Sequence, residues 1–366
     1  MQRLVRKSLA CILSLALFCL AGCGVSVPQM PESKPDTSEK TDVSPQPRGK
    51  VYFAYFDTAS YIYSYADESE EQFDENCAKL SEILNGYHQL FDIYHEYTGI
   101  NNLCTVNRLA GGEPVEVDEK LIEFLKYAAE LSKTTGGEMN VMLGSVLKIW
   151  HEARTLALDE PEKAEVPEKE LLQAAAGHTD ISLLEIDEEK CTVRITDPEA
   201  SVDVGALGKG YATEMAAQWL EQQGISSYVL NIGGNIRIIG TRPDGTGWNT
   251  GIKDPYDPQG ELARKLYISD TACVTSGIYE RFYTVNGTRY HHIIDKDTLF
   301  PAEKFASVTI ITPDSALADA LSTALFCMSV EEGKELAGRL ENVEVLWITC
   351  GGEQIATPGL EALTVK

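Results

Sequence analysis

The run Asp203-Val-Gly-Ala-Leu-Gly-Lys-Gly-Tyr-Ala212 sets a carboxylate, three glycines and a lysine between an apolar stretch and a helix-like segment. Glycine lets backbone approach a ligand closely, and amides at a helix start point at anions. Lys209 adds a compact positive charge. Together these residues suit the gripping of a phosphate. The Walker A spacing, Gly-x-x-x-x-Gly-Lys-Ser/Thr, does not occur there. A tight strand-to-helix turn explains the same residues without any ligand.

A second chemical group lies near the C-terminus. Asp319 is set among Ala316, Leu317, Ala318, Ala320, Leu321, Ala324, Leu325 and Phe326. A helix apolar nearly all round is a buried helix. A buried carboxylate needs a cation or hydrogen-bond donors. Thr323 follows one turn later on the same face. A carboxylate above a hydroxyl suits a hard cation, and Mg²⁺ with phosphate oxygens fits best. The alternative partner is a core Arg or Lys. His291 and His292 are adjacent on an expected strand and so face opposite ways. One of them suits a general base near neutral pH, the alternative being a hydrogen-bonded structural histidine. Thr275-Ser276-Gly277 offers hydroxyls or amides to a ligand, or is a plain turn.

These groups need a scaffold, and the hydrophobic pattern supplies one. Val51 to Tyr65 predicts one strand or two around Asp57 and Thr58. Glu71 to Tyr94 predicts a helix, His95 to Gly112 a loop, and Asp118 the cap of a second helix through Leu131. Met139 to Trp150 is a largely apolar stretch with Asn140 inserted near its start, and residues 158–170 form a solvated excursion. A hairpin flanks Asp187 to Lys190. Tyr211 to Gln223 predicts a helix closed by Gly224. Strands follow at 228–239, broken by Ile232-Gly-Gly-Asn235, and at 251–253, 265–268, 280–285, 290–294 and 304–311. Asp314 or Ser315 caps a helix through Met328, a short helix follows, and Val343 to Ile348 closes the sheet. Hairpin-like strands with separate helices predict an α+β fold with largely antiparallel sheets.

The N-terminus and the composition set the context. Arg3, Arg6 and Lys7 precede a mostly apolar run from Leu9 to Leu20, the length of a signal segment and too short to span a bilayer comfortably. It ends in Leu20-Ala21-Gly22-Cys23, which resembles a bacterial lipoprotein signal with lipid added to Cys23. Residues 1–22 are then the signal peptide. Residues 23–50 are a lipidated, disordered tether of Pro, Ser, Thr, Asp, Lys and Glu. The protein is expected to be lipid-anchored at the extracytoplasmic face of the cell membrane. The formal charge of −25 argues against nucleic acid as a partner and requires a local positive site or metal for any anionic ligand. Cys77, Cys104, Cys191, Cys273, Cys327 and Cys350 form no C-x-x-C pair, which excludes zinc-ribbon and thioredoxin-like readings. Cys327 and Cys350 sit in apolar surroundings and read as buried thiols.

Taken in order, the motifs resemble those of ApbE-type FAD:protein FMN transferases. They are Gly137-Glu-Met-Asn140 through Trp150, the Asp203–Ala212 run, Asn231-Ile-Gly-Gly-Asn235, Thr275-Ser-Gly-Ile-Tyr279, His292-Ile-Ile-Asp295 and Ala318-Asp-Ala-Leu-Ser-Thr323. The resemblance runs from about Val51 to the C-terminus and makes 51–366 one transferase domain.

The resemblance implies that FAD is bound outside the cytoplasm. With Mg²⁺, its FMN half is moved to a Ser or Thr hydroxyl of a partner flavoprotein, and AMP is released. Two alternatives are Mg²⁺-dependent FAD pyrophosphatase activity, with water in place of the hydroxyl, and a non-catalytic flavin-binding lipoprotein. By the same resemblance Asp319, Thr323 and the Ala206 carbonyl (less readily Gly208) hold the metal, with Asp319 and His292 serving catalysis. Phe56, Tyr94, Glu138, Met139, Asn140, Asp203, Lys209, Thr275, Ser276 and Ile294 bind the dinucleotide. Met139 stands where the family usually has Phe. Leu299 stands where it often has Gly, so a differently shaped loop is expected. The family's acceptor motif, Ser/Thr-Gly-Ala-Ser/Thr, is absent here, so the acceptor is expected to be a separate protein.

Overall fold

A computed structural model of the chain describes residues 47–257 and 260–365. The signal segment, Cys23 and the tether up to residue 46 lie outside the described residues. Arg48 to Lys50, read from sequence as the end of the tether, are already strand. Arg48 pairs with Ser64, Gly49 with Tyr63 and Lys50 with Ile62, and Lys50 forms an ion pair with Asp74.

The chain opens with β1 (Arg48–Tyr55), β2 (Thr58–Ser64), α1 (Glu70–Phe91), α2 (Leu103–Arg108), β3 (Val115–Glu116) and α3 (Glu119–Thr134). It continues with α4 (Gly144–Asp159), α5 (Lys169–Ala176), β4 (Leu184–Asp187), β5 (Thr192–Ile195) and α6 (Gly208–Gln222). Strands β6 (Tyr228–Ile232), β7 (Asn235–Ile239), β8 (Trp248–Lys253), β9 (Leu262–Ile268) and β10 (Ala272–Gly277) follow. The last elements are β11 (Phe282–Val285), β12 (Thr288–His291), β13 (Phe305–Thr312), α7 (Ser315–Cys327), α8 (Val330–Arg339), β14 (Glu344–Thr349), β15 (Gln354–Ala356) and α9 (Pro358–Leu363).

Eight strands form the main sheet in the order β1-β2-β6-β7-β10-β13-β14-β15, every neighbouring pair antiparallel. The fold is therefore α+β with antiparallel pairing, as the sequence predicts. Residues of β13 alternate between two cores, because successive side chains on a strand face opposite ways. Val308 and Ile310 pack with Leu321, Leu325 and Trp347 beneath α7 and α8. Ile311 packs on the other face with Trp248, Leu266 and Leu360 of the β8–β9 hairpin and α9. All eight residues of β13 are buried as a result.

Local signals place the helices. Ser69 and Gln72 form a reciprocal capping box at α1, whose buried residues run from Phe73 through Leu80 and Leu84 to Phe91. Asp118 caps α3, and Asp314 caps α7 through the Ala316 and Leu317 amides. Gly224, at φ +69°, lets the Ile225 amide return to the Leu220 carbonyl at the end of α6.

Four expectations are corrected. The Asn-rich segment after His95 contains α2, capped by the Asn102 side chain. Thr275-Ser276-Gly277 is not a turn but the end of β10, paired with Thr309, Val308 and Ser307 of β13. β14 is not the sheet's edge, because β15 pairs outside it. Cys327 is buried, but Cys350 is exposed in the turn after β14, its thiol directed at the Glu303 carbonyl.

Candidate functional site

The two groups that sequence singles out meet where α6 abuts α7. Leu207, at the start of α6, makes no side-chain cap, so the first-turn amides need other acceptors. The Gly210 amide donates to Asp319 Oδ2 at 2.8 Å, and Lys209 Nζ lies 4.0 Å from that oxygen. Asp319 is 5% exposed. Its burial is thus matched by a helix N-terminus and one lysine. A Cβ on Gly210 would overlap the Asp319 side chain and the Ser315 carbonyl, so only glycine allows the helices to come this close.

Buried polar contacts hold this seam. Ser322 Oγ donates to the Asp319 carbonyl at 2.8 Å, so the hydroxyl hydrogen between Ser276 and Ser322, 2.7 Å apart, comes from Ser276. Thr275 Oγ1 lies 2.8 Å from Thr309 Oγ1. Both hydroxyls are engaged by neighbouring protein, and their role in the fold is to fix β10 against α7 and β13. Glu214 on α6 accepts from the Ser315 amide at 2.8 Å and from buried Arg237 on β7 at 3.2 Å. Burial nonetheless raises the Glu214 pKa.

The donor set suits a hard cation. Asp319 Oδ1 and the Thr323 hydroxyl take no hydrogen bond among the described residues, and Thr323 is half-buried one turn beyond Asp319. No turn or loop amide among them donates to the Ala206 carbonyl. No cluster of three His, Cys, Asp or Glu exists among the described residues. One carboxylate, one hydroxyl and one carbonyl leave most of a Mg²⁺ shell to water and phosphate oxygens, the usual arrangement for that ion.

Asp203 begins the opposite wall. Its Oδ1 accepts from the Gly205 amide at 2.8 Å, and its Oδ2 lies 3.8 Å from His151 Nδ1. That imidazole nitrogen also shares a 3.0 Å hydrogen bond with the Tyr94 hydroxyl. His151 and Arg154 line a small cleft with Trp150, His291 and His292. Sequence reasoning passed over His151 and Arg154; their i, i+3 spacing on a helix just after Trp150 was the available signal.

The two adjacent histidines do different work. β12 ends at His291, so only His291 lies in the strand. His291 Nε2 donates to the Ala302 carbonyl at 2.9 Å and its Nδ1 accepts from the Ile293 amide, which makes it structural. His292 Nδ1 is 3.2 Å from the Arg281 carbonyl. A carbonyl only accepts, so Nδ1 carries the proton and Nε2 keeps its lone pair. Burial, then the Arg281 and Lys209 charges, push the His292 pKa down to about 3. The ring is neutral at pH 7.

The remaining candidates fall into two groups. Phe56 and Asp57 form the two-residue turn between β1 and β2, both at φ 51°, a left-handed geometry costly for non-glycine residues. The Phe56 ring stacks edge-on to His88. Glu138 reaches Lys296 at 3.2 Å, and its pKa is raised by burial. Met139 is packed in the core, Asn140 caps the turn after it and donates to the Thr179 carbonyl, and Ile294 is buried. The Leu299 loop has a left-handed backbone at the position where the family often has Gly. Leu299 takes φ +65°, its side chain is buried, and its carbonyl accepts from Trp150 Nε1 at 3.0 Å.

Residues 57–347 match the model of the ApbE family. A protein of Treponema pallidum named FAD:protein FMN transferase is 33% identical over 260 residues, covering 67% of this chain and 70% of that protein. A Vibrio cholerae protein of the same name is 30% identical over 337 residues, covering 91% of each. The structure of an ApbE protein from Thermotoga maritima aligns with a TM-score of 0.75 at 26% identity, over 88% of this chain and 100% of that one. The flavin transferase ApbE from Vibrio cholerae aligns with a TM-score of 0.71 at 25% identity, over 87% of this chain and 100% of that one.

Proposed function

The chain belongs to the ApbE family, and on that premise we propose that it transfers FMN from FAD to a Ser or Thr hydroxyl of a separate extracytoplasmic flavoprotein, releasing AMP. The observation that carries this reading is the buried Asp319, met by the Gly210 amide and by Lys209 at the start of α6. Such a helix start attracts phosphate. Mg²⁺, held by Asp319, Thr323 and the Ala206 carbonyl, would supply charge neutralisation on the diphosphate.

The chain's own residues account for the rest. Lys209 and the first turn of α6 orient the diphosphate. Asp203, Tyr94, Phe56 and Glu138 border the flavin side. His292 Nε2 takes the proton of the acceptor hydroxyl. That oxygen attacks the phosphorus of the FMN half, the bond to the AMP phosphate breaks, and AMP leaves with the bridging oxygen. Arg281 holds the required tautomer through its carbonyl. A low pKa in the free protein makes His292 a weak base, and an approaching anionic diphosphate raises it.

A lipid on Cys23 and the following tether would hold the domain at the extracytoplasmic membrane face, where the acceptor resides. The test combines the 24–366 protein, FAD, Mg²⁺ and a flavoprotein bearing Ser/Thr-Gly-Ala-Ser/Thr, followed by mass spectrometry of the acceptor. An FMN-sized gain that vanishes in Asp319→Ala supports transfer. AMP and free FMN accumulating with no gain would show hydrolysis instead.

A further inference from the structure

We infer that Arg154 and Arg281 form a two-guanidinium clamp beside His292 that takes the phosphoryl oxygens of the dinucleotide. The inference rests on the proposed FAD reading and adds residues that no motif pointed to.

Among the described residues neither guanidinium forms an ion pair or a side-chain hydrogen bond. Every other arginine from Arg108 onward pairs with a carboxylate or lies over an aromatic ring. Arg48, at the start of β1, is likewise without such a partner, but it stands alone, whereas Arg154 and Arg281 come together beside His292 in a chain of net charge −25.

Arg154 lines the same small cleft as His151 and His292. Arg281 binds His292 through its own carbonyl, which accepts from both the His292 amide at 3.1 Å and the ring Nδ1. The two cations are near enough to repel: burial first, then the Arg281 charge, lowers the Arg154 pKa. Lys209 acts on the same imidazole from the other wall. Asp203 is the carboxylate nearest His151 of the cleft, with Oδ2 3.8 Å from its Nδ1 and Oδ1 already engaged by Gly205.

Lys209 and Arg281 thus act on the His292 imidazole while Arg154 lines the same cleft; Asp319 lies by Lys209 and Asp203 offsets part of the Arg154 charge, which leaves an excess of positive charge that an anion completes. Guanidinium forks match phosphoryl oxygens in two-point geometry. A diphosphate lying between Lys209 and His292 passes within this region of positive charge. A larger groove lined by Asp67, Glu68 and Glu75 has the wrong charge for the same ligand.

The test uses the 24–366 protein with Mg²⁺ and compares affinities for FAD and for riboflavin, which has no phosphate, by flavin fluorescence. Arg154→Gln and Arg281→Gln should each weaken FAD binding roughly tenfold, with riboflavin unchanged. Arg154→Lys, which keeps the charge and loses the fork, should fall between. Equal losses for both ligands, or none for either, would overturn the clamp. Unchanged FAD affinity with a raised KM for the acceptor would overturn it too, assigning the pair to acceptor carboxylates. Because the readout is binding, it stands even if the protein proves to transfer no FMN.

Discussion

The seam between α6 and α7 and the wall formed by α4 with the β11–β12 hairpin handle charge in opposite ways. In the seam each charged group has a protein partner: Asp319 has the Gly210 amide, and Glu214 has Arg237 and the Ser315 amide. Across the cleft Arg154 and Arg281 have none among the described residues. A satisfied buried network fixes a unique geometry. Uncompensated charges at a cleft add nothing to the fold and leave binding energy for a ligand. The fold therefore supplies one wall already set, and the ligand completes the other.

Substitutions on each side put this contrast at risk. Asp319→Ala should lower FMN transfer by about a thousandfold or more, the scale for a preorganised electrostatic group, with Asp319→Asn less severe because it can still accept from Gly210. Transfer within tenfold of wild type in Asp319→Ala would remove the seam from the chemistry. His292→Asn should lower kcat about a hundredfold through loss of the general base, with little change in FAD affinity. Equal losses in kcat and affinity would make His292 a binding group instead.

Stability should separate the walls as well. Gly210→Ala should cost about 1–3 kcal/mol in denaturant unfolding, because its methyl has no room between the helices. Arg154→Gln should stay within about 0.5 kcal/mol of wild type. Comparable losses in the two variants would erase the distinction. The smallest effect is a pH dependence. Burial depresses the His292 pKa from 6.5 to about 3 and lowers those of His151 and His291. The unfolded chain binds more protons on these residues as pH drops below about 6.5, so folded stability should decline from there toward pH 3. His292→Asn should flatten part of that slope in thermal melts; an unaltered slope would show that the ring is solvated.

Much of the seam was legible in the sequence because its signals are local. Asp314 and Asp118 announce helix starts, and a lone carboxylate in an apolar helix marks itself as needing a partner. The partner was less legible. Lys209 and Gly210 stand more than a hundred residues from Asp319, and only the packed fold joins them. β10 was missed because Thr275-Ser276-Gly277 has the composition of a turn; pairing with β13 overrides that preference. The opposite wall left the fewest traces. Arg154 and Arg281 come from separate elements, and nothing about either residue alone distinguishes it from a solvated surface charge. At Leu299 the residue type alone does not reveal the left-handed backbone, which accompanies a buried side chain.

The order of strands has a consequence for how the protein is made. β2 hydrogen-bonds to β6, a strand from the later half of the sequence. A chain emerging from its N-terminus therefore carries the β1–β2 hairpin with one row of backbone groups open until Tyr228 arrives. Such high contact order slows folding and leaves an edge available to other strands in the interval. Truncation before β6 should consequently yield an aggregating fragment and not a smaller folded unit.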